Sequence, residues 1–96
     1  MKPTKTIFIV PGATTAGDSI DLPGGIRAAS IARAVRVRVY DGSTVGGITE
    51  LTVVDTTPSS GQIYLESPTS IVLGDDTTDY DILILEIEEL EGSSLS

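Results

Sequence analysis

The sequence predicts an all-β fold, a small antiparallel β-sandwich or barrel of about seven short strands. Hydrophobic residues make up 40% of the 96 residues, but aromatic residues make up only 4%. The core therefore has to be built from Val, Ile and Leu, which fit pleated strands better than helices. Short apolar runs recur along the chain and are separated by Gly, Pro, Asp and Ser, a spacing typical of strands joined by turns.

The first half of the chain contains three predicted strands. Residues 4–10 are rich in β-branched side chains and end at a Pro-Gly pair, and the short segment 20–22 ends at Pro-Gly-Gly. The alternation VRVRVY predicts a strand over 35–40 with its valines facing the core and its arginines facing away. The preceding segment, 26–34, is Ala-rich, and a short helix there remains an alternative to a longer strand.

The second half of the chain contains four more predicted strands. ITELTVVD, residues 48–55, follows Asp-Gly-Ser and Gly-Gly turn signals, and QIYLES, residues 62–67, follows a polar loop. SIVLG, residues 70–74, is short and ends at a glycine. ILILEIEEL, residues 82–90, is the strongest apolar stretch, and its Ile content and alternation favour a long strand over a helix.

This last strand is predicted to be buried on both sides. If it is extended, one face carries Ile82, Ile84, Glu86 and Glu88, and the other carries Leu83, Leu85, Ile87 and Glu89. Apolar residues therefore occupy both faces. We expect one face to meet the domain core and the other to meet a neighbouring subunit or a covering loop.

The chain is predicted to form one domain, residues 1–92, followed by a disordered tail, 93–96. It has no Cys for disulfides and neither His nor Cys for a structural zinc site, so we expect self-association to contribute to stability. Its longest uninterrupted apolar runs have four residues. We therefore expect no signal peptide and no transmembrane segment.

Charge is divided unevenly along the sequence. All six basic residues lie in the first 38 positions beside only two acidic residues, whereas the remaining positions contain twelve acidic residues and no basic one. The two parts should attract each other, either within one chain or head-to-tail between copies. The predicted interface residues are Arg33, Arg36, Arg38, Ile82, Ile84, Glu86 and Glu88. Pairs of Arg36 and Arg38 with Glu86 and Glu88 could fix the strand register, and the alternative is that these four charges only face solvent.

Composition argues against several function classes. The chain has no His, Cys or Trp, which removes the usual general base, the cysteine nucleophile and most transition-metal ligands. The sequence therefore predicts a non-enzymatic protein without a cofactor. A net charge of −8 and a pI of about 4.1 also argue against nucleic-acid binding.

One loop is a candidate for binding a cation. It contains four carboxylates within seven residues, those of Asp75, Asp76, Asp79 and Asp81. Ca²⁺ takes several oxygen ligands from a flexible loop, but this segment lacks the frame of an EF-hand. An ordinary acidic turn has the same composition, and we therefore predict no metal site.

The sequence resembles a known group of proteins in its overall composition and in its pattern of short strands. Short strands punctuated by Thr, Gly and Pro, with IARAVRVRVYDGSTVGGI followed by ILILEIEEL, make the chain similar to small structural proteins of tailed-phage virions, above all capsid decoration or cement proteins. This resemblance implies a β-rich homo-oligomer, often a trimer, on the outer surface of a virion, where it contacts a major capsid protein. It implies no catalytic residues.

Two other functions remain open at this point. A carbohydrate- or surface-binding β module would need an exposed aromatic platform, for which Tyr40, Tyr64 and Tyr80 are the candidates. A Ca²⁺-dependent β domain would use the acidic loop.

Overall fold

The computed structural model describes residues 4–39 and 46–90, and within these ranges the protein is all-β, as predicted. The seven strands are β1 (Lys5–Ile9), β2 (Ser19–Asp21), β3 (Ala28–Arg38), β4 (Gly47–Val54), β5 (Gln62–Ser67), β6 (Ser70–Leu73) and β7 (Asp81–Glu89). The helical alternative for 26–34 is wrong, because β3 runs through most of this segment. The predicted tail, 93–96, lies outside the described residues.

The strands form one curved sheet, a half-barrel, in the order β1-β7-β3-β4-β5-β6-β2. The sheet is mixed rather than purely antiparallel, because Thr52–Val54 of β4 pair in parallel with the start of β5. The loop 55–61 returns the chain beside the end of the strand it has just left, and the N–H of Thr52 donates to the carbonyl of Gly61 at 2.9 Å. Gly61 makes this return with a φ of 80°, which a residue with a side chain rarely adopts.

The central pair of the sheet is β3 with β7. Its register places Ala34 opposite Leu85, and two shifts interrupt the pairing in the first half of β3. Such shifts are β-bulges, which re-aim the side chains that follow them.

The core lies on one side of the sheet and is aliphatic. Its fully buried members include Ala34, Ile63, Leu83, Leu85 and Ile87. As predicted, β7 alternates: from Asp81 to Glu88 its odd-numbered side chains are buried and its even-numbered side chains are partly exposed. None of the described residues belongs to a helix long and apolar enough to cross a membrane.

The predicted orientation of the second half of β3 is wrong. Arg36 and Arg38 lie opposite Leu83 and Asp81, on the core side of the sheet, whereas the valines between them lie opposite Ile84 and Ile82 on the other side. The alternation in β3 was correct, but its assignment to faces was reversed. The core side of this region contains the ion pair of Arg38 with Asp81, and the outer side contains valines and isoleucines, so a valine does not identify the inner face.

Candidate interaction surface

A buried ion pair closes one end of the core side. Asp81 is fully buried and accepts hydrogen bonds from Nε of Arg38 at 2.7 Å and from Nη2 at 2.9 Å. Its second oxygen also accepts the N–H of Thr78 at 2.8 Å. A carboxylate fully removed from water is stable only with such partners, so this arginine has a structural role on the core side.

The pKa values of two carboxyl groups reflect these contacts. Burial acts to raise the pKa of Asp81, but the hydrogen bonds from Arg38 and Thr78 and the positive charges of Arg38 and Arg36 outweigh it and leave the pKa lowered. The pKa of Asp75 is lowered by the N–H of Gly61 and then by the hydroxyl of Ser60. Both groups are engaged inside the fold.

The acidic loop uses its carboxylates separately. Asp75 accepts the N–H of Gly61 at 2.6 Å, Asp76 accepts the N–H of Ala16 at 2.8 Å, and Asp81 binds Arg38. Within the described ranges, no group of three or more carboxylates is placed to hold a metal ion. The loop therefore acts as a set of local hydrogen-bond acceptors that tie neighbouring segments together.

The other side of the sheet carries an exposed apolar surface. We call it the apolar outer face, and it consists of Phe8, Val10, Val35, Val37, Val39, Ile48, Ile82 and Ile84. The register joins its members across four strands: Phe8 lies opposite Ile84 on β7, Ile84 lies opposite Val35 on β3, and Val37 lies opposite Ile48 on β4. Val10 and Val39 continue the alternation one residue beyond β1 and β3. The surface is therefore continuous.

This face holds most of the exposed apolar side chains of the described chain. Among the described residues, six large hydrophobic side chains are exposed, and four of them belong to the apolar outer face: Phe8 at 65%, Val10 at 71%, Val39 at 45% and Ile48 at 76%. Scattered exposed apolar residues are normal in soluble proteins, but a contiguous group marks an interaction site.

Charged residues border this face: Glu50 lies opposite Val35, beside the apolar side chains, and the others lie farther along the same strands. Glu86 of β7 lies opposite Arg33 of β3, and the Arg33 guanidinium is 3.5 Å from the Glu50 carboxylate of β4. Glu88 accepts a hydrogen bond from the Ser30 hydroxyl at 2.7 Å. We call Arg33, Glu50, Glu86 and Glu88 the charged end. The Arg33 and Glu50 side chains are 57% and 68% exposed, so both are available to a partner.

The structure separates the predicted interface residues into two groups. Arg33, Ile82, Ile84, Glu86 and Glu88 share the outer side of the sheet, but Arg36 and Arg38 lie on the core side. The predicted register pairs do not form between these two arginines and the last two glutamates, because the two sets lie on opposite sides. Arg38 binds Asp81 instead.

Sequence reasoning missed part of the apolar outer face. Phe8 lies in β1, Val10 directly follows β1, and Ile48 lies in β4; neither strand was assigned to an interface. One signal was present in the sequence: the run IFIV places apolar residues on both faces of its strand, as ILIL does in β7.

The described tyrosines do not form one aromatic platform. Tyr64, on β5, lines a cavity of about 250 Å³ together with Ile31, Val53 and Leu65. Tyr80 precedes β7, is 45% exposed, and its carbonyl accepts the N–H of Val39 at 3.0 Å. The third candidate, Tyr40, lies outside the described residues. Tyr64 and Tyr80 belong to different regions of the sheet, which gives no support to the sugar-binding alternative.

Comparison with protein-family models, with curated proteins and with solved structures finds no match to this chain.

Proposed function

We propose that this protein is a non-enzymatic structural subunit of a tailed-phage virion, a capsid decoration or cement protein that stabilises a shell through protein–protein contacts. The observation that carries the proposal is the apolar outer face. Its four most exposed members lie on or beside three strands of one sheet, and water is a poor environment for such a surface. Assembly would cover it.

The polar chemistry of the described residues supports a structural role. Asp75 and Asp81 have lowered pKa values, but each is held by hydrogen bonds from its own fold. A general acid or base needs a pKa near the working pH and access to a substrate. Carboxylates whose pKa values are lowered still further from neutrality are suited to holding loops in place.

The charge distribution supports a contact with a second kind of protein. The chain carries a net charge of −8, and its basic residues are confined to the first 38 positions. Opposite potentials steer partners together and set their orientation. The location and the partner are proposed from the resemblance to capsid decoration proteins: the homo-oligomer sits on the outer surface of an icosahedral shell and contacts the major capsid protein.

The test is cosedimentation with empty shells assembled from the major capsid protein of the phage that encodes this chain. We expect the wild-type protein to pellet with the shells, and Ile48→Glu to bind at least about tenfold more weakly because it places a charge in the apolar outer face. Ile48 is 76% exposed, so the substitution leaves the core intact. Thr56→Glu, in the exposed loop 55–61, is the matched control and should bind like the wild type.

Two results would contradict the proposal. One is a wild-type protein that stays in the supernatant at every shell concentration. The other is equal binding by Ile48→Glu and Thr56→Glu, which would remove the apolar outer face from the contact.

A further inference from the structure

We infer that an opening in the sheet between β3 and β4, which we call the fork, binds an extended peptide segment of another protein. The segment carries an apolar side chain flanked by basic residues. The fork shares no residue with the apolar outer face, so its test is separate from that of the proposed function. Three observations carry the inference: the place where the two strands separate, the direction of the main-chain groups there, and the carboxylates beside the opening.

The fork begins where β4 changes its partner. Within the described ranges, β3 pairs with β4 only from Ala34 to Arg38. Beyond Leu51, which lies opposite Ala34, the residues Thr52–Val54 of β4 pair with β5 instead. The first half of β3 therefore has a ladder partner on its β7 side alone. Its two bulges bend the strand, and this bend accommodates the separation from β4.

A cavity of about 250 Å³ occupies the fork. It is lined by residues 29–31 of β3, by residues 53–55 at the end of β4 and just beyond it, and by Tyr64 and Leu65 of β5. Most of these side chains are apolar. The volume is smaller than the range of about 300–1,000 Å³ that is usual for small-molecule sites. The cavity therefore suits a single large side chain of a peptide better than a cofactor or a substrate.

Main-chain groups of β3 point into the fork. The N–H of Leu90 donates to the carbonyl of Arg27, so Leu90 points its main chain toward β3. Successive residues of a strand alternate in this direction, so Ile87, three positions earlier, points away from β3. Opposite residues of an antiparallel pair either both face each other or both face away, and Ile31 lies opposite Ile87. The N–H and C=O of Ile31 therefore point into the fork.

Main-chain groups of β4 point into the fork from the other side. The N–H of Thr52 donates to the carbonyl of Gly61, on the β5 side of β4. Val53, the next residue, therefore points its N–H and C=O toward β3, beyond the end of the β3–β4 ladder. Strand edges of this kind bind extended peptides, with main-chain hydrogen bonds giving affinity and side-chain pockets giving selectivity.

Carboxylates flank the opening on both sides. Asp55 lines the cavity and is exposed. On the β3 side, Glu88 accepts a hydrogen bond from the hydroxyl of Ser30 at 2.7 Å, and Ser30 also lines the cavity. Basic residues on either side of the bound apolar side chain complement these charges, whereas acidic residues there are repelled. The geometry thus selects an extended, basic and apolar peptide.

The test is an NMR titration of the full chain, labelled with ¹⁵N, with the blocked peptide acetyl-KVLVK-amide. We expect saturable shifts of the amide signals of Ile31 and Val53 with a Kd of about 1 mM or tighter, and smaller shifts at Phe8 and Ile48 of the apolar outer face. Two altered peptides test the chemistry. Acetyl-EVLVE-amide reverses the charges, and N-methylation of the central leucine of the first peptide removes a main-chain donor. Each should bind at least about fivefold more weakly.

A pair of variants tests the role of Asp55. Asp55→Asn should bind acetyl-KVLVK-amide at least about threefold more weakly than the wild type. Asp21→Asn is the matched control, because it removes the same charge from an exposed position on β2, and it should bind like the wild type. The spectrum of each variant without peptide checks that the chain is folded.

Each contrary result overturns a stated part of the inference. The absence of saturable shifts at Ile31 and Val53 at any soluble peptide concentration refutes the fork as a site, and larger shifts at Phe8 and Ile48 move the peptide to the apolar outer face. Equal binding of the N-methylated peptide refutes strand pairing. Equal binding of acetyl-EVLVE-amide, or by Asp55→Asn, refutes selection by the carboxylates. The cosedimentation of shells through Ile48 is measured independently, so the proposed function stands or fails by itself.

Discussion

Asp81 offers the sharpest test of how this fold is held together. Asp81→Asn keeps the size of the side chain but replaces one carboxylate oxygen with an NH₂ donor. The amide oxygen can still accept from Nη2 of Arg38 and from the N–H of Thr78, which in the wild type contact the same oxygen at 2.9 and 2.8 Å. The new NH₂ group then faces Nε of Arg38, which is also a donor.

The expected loss follows from this conflict. Asp81→Asn removes a hydrogen bond between charged groups, about 1.5–3 kcal/mol, and leaves a buried donor unsatisfied, about 1–3 kcal/mol. The Arg38 side chain is 29% exposed and can recover part of its hydration. We therefore expect the free energy of unfolding to fall by about 2–4 kcal/mol, a large share of the stability of a small domain.

Asp75→Asn is the matched control, because it removes the same charge from the same loop. Asp75 accepts the hydroxyl of Ser60 at 2.7 Å and the N–H of Gly61 at 2.6 Å. A hydroxyl can accept as well as donate, so the amide of the variant keeps both partners. We expect this variant to lose less than about 1 kcal/mol.

Urea unfolding followed by far-UV circular dichroism measures both losses at one fixed protein concentration, since association raises apparent stability. The chain has no Trp, so dichroism is preferable to fluorescence. Equal losses for the two variants would refute the assignment of Asp81 as the buried acceptor for Arg38.

The pH dependence provides a second measurement on the same pair. The pKa of Asp81 in the folded protein lies below its ordinary value of 3.8, so the stabilisation is complete above about pH 4 and is lost as the pH falls through the folded value. The difference in urea midpoint between the wild type and Asp81→Asn should therefore be constant near neutrality and shrink below pH 4. A difference that grew on acidification would have the wrong sign.

Two further substitutions test the packing. A Cβ at position 74 would overlap the carbonyl oxygen of Ser59, so Gly74→Ala should lower stability by about 1–3 kcal/mol, whereas Gly24→Ala, in open space, should change it by less than about 0.5 kcal/mol in thermal melts. Equal melting temperatures would show that the loop at 59 moves freely. Leu85 is fully buried, so Leu85→Ala should cost about 2–5 kcal/mol in urea unfolding, compared with less than about 1 kcal/mol for Val53→Ala at a 39% exposed position. Similar costs would place Leu85 outside the core.

The sequence predicted the strands better than it predicted their faces. The shortage of aromatic residues and the turn residues between apolar runs led to seven strands, and seven are present in the described ranges. The alternation within β7 also correctly divided its side chains between two sides. These properties are local, because the alternation of side chains between two faces, with a period of two residues, arises within each strand and needs no neighbour.

The inner side of β3 could not be predicted in the same way. The assignment assumed that valine faces inward and arginine faces outward, but Arg36 and Arg38 share the core side with Leu83 and Asp81. The orientation of β3 is determined by its pairing with β7. These strands lie more than forty positions apart, so the sequence of either strand alone does not predict how they pair. The apolar outer face was missed in part for the same reason, because its rows join four separate strands.

The order of the strands has a consequence for how the chain folds. The first two strands of this sheet in chain order, β1 and β2, are its two edges, and neither pairs with a strand near it in sequence: β1 pairs with β7 and β2 pairs with β6. A growing chain on the ribosome therefore cannot complete the sheet until its last strand has emerged. Pairings of such long range close slowly, so we expect folding on the millisecond to second scale, with the apolar segments of β1 exposed to neighbours in the meantime.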